Sequence, residues 1–159
     1  MSHTFNPRFN DWYVFTLSVR RIAPGSDQLA GEITAHYWNG TAANVEPPPC
    51  AAGVDNWVTL MTATGSVAGQ EIRFDGTSWR PGDTLCGTRG GYNLDHFAGR
   101  IDPALQEFQS VNNDGERMVN EVTVFRRIAC REPPRAPHVT VAPPAFYPEG
   151  RGGGCGCGW

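Results

Sequence analysis

The 159-residue sequence predicts an all-β chain: a small antiparallel up-and-down β-barrel of about eight strands with a Pro/Gly-rich C-terminal tail. Three observations carry this expectation. Apolar side chains recur at every second position through most of residues 12–128, the period of a strand that buries one face. Turn-forming residues punctuate these runs, among them Phe74-Asp75-Gly76 and Asn112-Asn113-Asp114-Gly115. Beyond a single turn, no helix is visible in the pattern.

Residues 12–22 form the first strand, with Tyr13, Phe15, Leu17 and Val19 on one face and Trp12, Val14, Thr16 and Ser18 on the other. Ala23-Pro24-Gly25-Ser26-Asp27 turns the chain into a second strand from Leu29 to Trp38, ended by Asn39-Gly40. One face of this strand is apolar (Leu29, Ile33, Ala35, Tyr37). The other (Glu32, Thr34, His36, Trp38) suits water or a polar cavity. Proline donates no ladder hydrogen bond, so residues 41–56, with Pro47-Pro48-Pro49, read as a long loop. Trp57 to Thr64 and Ala68 to Phe74 follow as strands joined through Thr64-Gly65-Ser66, and Gly76 ends the second of them. Thr77 to Arg80 is a short strand cut by Pro81-Gly82, with Asp83 to Thr88 continuing it as far as Gly90-Gly91. Residues 92–101, 105–111 and 119–128 complete the set. Asp102-Pro103-Ala104 opens one helical turn, because Asp caps well and Pro is tolerated at the first helical position. Short connections in chain order favour a meander that closes on itself and so removes its edges.

The domain reading is a barrel over residues 8–130 and a tail over 131–159, where much of the total of 19 Gly and 13 Pro collects. A net charge of −3 without a basic cluster argues against nucleic acid. All 13 basic residues are Arg, which excludes Schiff-base chemistry and the P-loop lysine. Residues 1–8 lack the apolar core of a signal peptide and no segment reaches membrane-spanning length, so a soluble chain is expected. The five cysteines (Cys50, Cys86, Cys130, Cys155, Cys157) cannot all pair within one molecule. A bridge between two of the first three and small buried free thiols both stay open. Asn39-Gly40-Thr41 has the form of a glycosylation acceptor and is better explained as turn chemistry.

Trp12 near the start of the first strand, Arg126 or Arg127 near the end of the last, and the layout of residues 10–130 together resemble the calycins: lipocalins, fatty-acid-binding proteins and avidins. The resemblance implies about eight strands closed into a cup around one small ligand. It also implies that Trp12 packs against the arginine across the closed end. Where the lipocalin pattern has a glycine two residues before its tryptophan, this chain has Asn10. An inward Trp12 would carry Val14, Thr16 and Ser18 inward with it and turn Phe15 and Leu17 outward.

Large rings with a polar handle are what small-ligand cavities use. The expected ligand-binding residues are Trp12, Glu32, His36, Trp38, Trp57, Phe74, Trp79, Tyr92 and His96, set against the plain alternatives of core packing and a solvated outer face. His3 and His138 lie in terminal segments and the four histidines form no short-spaced metal motif, so neither metal nor cofactor is expected. Nucleophile-elbow, zinc-protease and phosphate-loop motifs are missing from the sequence. The expectation is a non-enzymatic module for a small apolar or mixed-polarity molecule. One alternative is an acid/base enzyme in which Glu32, His36 and either Asp95 or His96 meet in the lumen. The other is an assembly protein that self-associates or cross-links through Cys155 and Cys157.

Overall fold

The computed structural model describes residues 1–87 and 90–129. Eight strands run in chain order: β1 (Ser2–Asn6), β2 (Asp11–Arg21), β3 (Gln28–Asn39), β4 (Asn56–Ala68), β5 (Glu71–Cys86), β6 (His96–Asp102), β7 (Glu107–Asn112) and β8 (Glu121–Arg126). Each pairs antiparallel with the next. The two outermost strands then meet, because Met1 N donates to Arg126 O (2.8 Å) and Arg126 N donates to Met1 O (3.0 Å). The result is a nearly closed antiparallel barrel.

Strand alternation decides what fills it. Tyr13, Phe15 and Leu17 lie opposite Tyr37, Ala35 and Ile33 in the β2–β3 register and face inward. Phe15, Ile33, Met61, Phe74 and Phe97 are wholly sealed from solvent. Their rings pack edge to face, Phe15 on Phe97 at 5.2 Å and Phe97 on Phe125 at 4.9 Å. Such pairs contribute about 0.5–1.5 kcal/mol each beyond the area they bury.

Several boundaries differ from the sequence reading, each for a physical reason. β1 was not expected: its Ser-His-Thr-Phe-Asn sequence has no apolar alternation, yet the full set of pairings with β2 begins the sheet at Ser2. Thr64-Gly65-Ser66 and Phe74-Asp75-Gly76 are strand, not turns. The β4–β5 hairpin instead turns at Gly69-Gln70, where Gly69 has φ +62°. Gly65 sits in a strand because a Cβ there would come 2.2 Å from Arg73 O. The separate strand expected at Thr77–Arg80 is part of β5. Ala63 pairs with Gly76 and Thr62 with Ser78, which leaves Thr77 as the extra residue of a β-bulge. β5 pairs with β6 only over Glu71–Asp75, so Pro81 lies where the strand has a neighbour on one side and its missing N–H costs nothing. β6 starts at His96 rather than at residue 92. Asp102 Oδ1 accepts from Ala104 N and Leu105 N, but the four residues that follow make a turn and not a helix.

The connections sort by end. Connections 22–27, 69–70 and 103–106 lie at one rim, and the three longest, 40–55, 87–95 and 113–120, share the other, the long-loop rim, with the four-residue 7–10. A Cys50–Cys86 disulfide ties the proline-rich 40–55 connection to the end of β5, which settles the pairing left open by the cysteine count. Cys130, Cys155, Cys157 and the expected tail lie outside the described residues. No helix among the described residues is long and apolar enough to cross a membrane.

Candidate functional site

The outer face of β5, β6 and β7 carries an open concavity of about 390 Å³. Its floor follows from the register: Arg73, Ala98 and Val111 lie side by side on adjacent strands, and Ala98 is too short to fill the space between its neighbours. One row nearer the long-loop rim, Asp75 stands beside His96, and the 113–120 connection closes the groove with Asn113, Gly115 and Asn120. Asn120 holds φ +58° and Gly115 φ +77°, left-handed backbone that bends this connection around the groove.

The polar groups of the groove are organised by one carboxylate. Asp75 Oδ1 accepts from His96 Nδ1 at 3.0 Å, and Asp75 accepts Arg73 Nε at 2.8 Å through Oδ2 and 3.1 Å through Oδ1. A carboxylate only accepts, so His96 carries its proton on Nδ1 and a neutral ring presents Nε2 as an acceptor.

Behind this wall, the long-loop rim holds a buried polar network. Asp95 is 1% exposed and accepts Tyr92 Oη on Oδ2 and Asn112 Nδ2 on Oδ1, both at 2.5 Å. Burial pushes its carboxyl up to about 6, against the pull of these two donors. The Tyr92 hydroxyl is held well above its usual range, first by burial and then by the Asp95 charge. Asp11, also buried, takes Tyr37 Oη at 3.0 Å and Arg117 Nη1 at 2.9 Å, and burial raises it from its ordinary value. Tyr37 is pushed up to about 12 by burial and by Asp11. Arg117 also lies over the Phe9 ring at 4.9 Å. The next residue, Met118, turns inward and is sealed in the core, where its Sδ accepts Asn6 Nδ2 at 3.7 Å.

The nine residues expected to bind ligand divide between the two faces. Trp57, Tyr92 and Trp79 come together at the long-loop rim, with centroids 5.8 Å apart for Trp57–Tyr92 and 6.2 Å for Trp79–Tyr92. Phe74 is deep in the core. Trp12, Glu32, His36, Trp38 and His96 face outward. Trp12 and Trp38 stack at 6.1 Å beneath the 40–55 connection, and their indole N–H groups donate to Thr41 O and Asn44 O. His36 Nε2 lies 2.7 Å from Asn56 Oδ1. Glu32 and His36 therefore do not meet Asp95 in the lumen, and the acid/base constellation is not assembled. Nor does Trp12 pack on an arginine across a closed end. It lies at the long-loop rim, whereas Arg126 lies at the opposite rim and pairs with Glu107 at 2.8 Å. The inward register falls instead on Phe15, as the apolar run of β2 requires.

Arg73, Asp75, Ala98 and Val111 were missed as site residues. Each is an ordinary outward strand residue, and their convergence depends on cross-strand register, which single-strand periodicity does not contain. Comparison with protein-family profiles, curated proteins and solved structures finds no match to this chain.

Proposed function

We propose that this chain is a non-enzymatic binding module of lipocalin-like architecture that takes a small molecule of mixed polarity in the outer groove over Ala98. The observation that carries the reading is the groove itself. Its volume of about 390 Å³ falls within the roughly 300–1,000 Å³ of small-molecule sites, and a few convergent polar groups stand over an apolar floor. The meander of eight strands supports the calycin part of the reading. The barrel differs from a cup in having its interior filled by aromatic rings and Met118, so binding is assigned to the wall and not to the lumen.

Ala98→Leu tests this directly, because its side chain points away from the core and fills the groove floor. Amide chemical shifts of Ala98, Val111 and Gly115 should move when wild type is titrated with a panel of small aromatic acids and amides. The same panel should leave the variant unmoved while its remaining spectrum stays folded. Equal binding by both proteins places the ligand elsewhere.

A further inference from the structure

The groove is rich in donors once its internal pairings are counted. Asp75 has both oxygens engaged by Arg73 Nε and His96 Nδ1. Among the described residues, the two Nη groups of Arg73 have no protein partner, and they form the planar fork that matches a carboxylate. Asn113 Oδ1 accepts Gly115 N at 3.0 Å, which leaves the Asn113 amide N–H₂ to donate. Two acceptors remain, the Asn120 side-chain oxygen and His96 Nε2, and the latter is fixed in place because Nδ1 is held by Asp75. A groove with this inventory is complementary to a molecule that brings a planar anionic acceptor and one donor.

We infer that the ligand is a small organic acid with a hydroxyl beside its carboxylate. The carboxylate lies on the Arg73 fork and the Asn113 amide, the hydroxyl donates to His96 Nε2, and the apolar remainder rests on Ala98 and Val111. This rests on the groove being the binding site, and it deepens that reading by naming the ligand's chemical class. A matched aldehyde, amide or amine lacks the charge or the acceptor geometry that the fork selects.

Three probes of similar size separate the contributions: 2-hydroxy-2-phenylacetate, phenylacetate and 2-phenylacetamide, each titrated by NMR against the full chain. Affinity should fall in that order. Arg73→Gln/Asp75→Asn removes the fork and leaves no carboxylate behind to repel the probe, so it should weaken both acids at least tenfold and leave the amide unchanged. His96→Leu should bring the hydroxy acid down to the affinity of phenylacetate. If the amide shifts the Ala98 and Val111 amides with an affinity equal to that of the acids, the inference fails while the groove remains a binding site. Silence from all three probes sinks both.

Discussion

Phe97 and Ala98 are neighbours in β6, yet one is sealed among rings inside the barrel while the other forms the floor of an open groove outside it. The inner face carries large apolar side chains on β2 to β8, and Met118 enters from a connection to fill the end of the stack. The outer face places a small residue between Arg73 and Val111, and the wall sinks at that point. The same two-residue alternation thus separates the residues that hold the fold from those available for recognition. Stability and binding should respond to different substitutions.

Phe97→Ala puts that separation under the greatest strain. Removing a wholly buried ring that touches Phe15 and Phe125 should cost about 3–5 kcal/mol in urea unfolding. A loss below about 1 kcal/mol would show that the interior is not packed as described. Cys50→Ser/Cys86→Ser releases a cross-link spanning 36 residues and should cost roughly 2–4 kcal/mol. Probe binding in the groove should be unaffected, since neither cysteine lines it. A fall in affinity with stability intact would tie the two faces together.

The buried Asp95 provides a pH-dependent version of the same comparison. Its folded value of about 6 lies above the ordinary 3.8, so its stabilising contribution is fully present below about pH 3.8 and is lost as pH rises through about 6. The difference amounts to roughly 3 kcal/mol. Asp95→Asn keeps an acceptor for Asn112 and a donor for the Tyr92 oxygen, so it should flatten that fall. Urea midpoints of both proteins between pH 4 and 7 check the prediction, and parallel curves would refute it. Ala98→Leu should have the smallest effect on folding, under about 0.5 kcal/mol, because it fills exposed space without touching the core.

Legibility in the sequence followed the same division. β2 and β3 could be read to within a residue or two, because their inward residues are continuously apolar. β1 could not, because its inward residues are Ser2, Thr4 and Asn6, and its place is fixed by pairing with β2. Gly65 and Gly76 were misread as turns because glycine is a general sign of a bend, and here it marks close backbone approach and the start of a bulge instead. The expected eight strands and the observed eight agree in number only because an unread strand at the start offsets a long strand that had been divided in two. His96 was the one anticipated ligand residue that falls in the groove. Its partners come from β5 and from the 113–120 connection, which no local pattern places beside it.

The three longest connections, 40–55, 87–95 and 113–120, share one rim, so variation in chain length has that rim to occupy. A residue added at Gly69-Gln70 would slide β5 against β4 and exchange its inward and outward side chains, whereas extra residues in 113–120 would leave all eight registers alone. The border of the groove can therefore change in length while the strand frame that carries it is inherited unchanged.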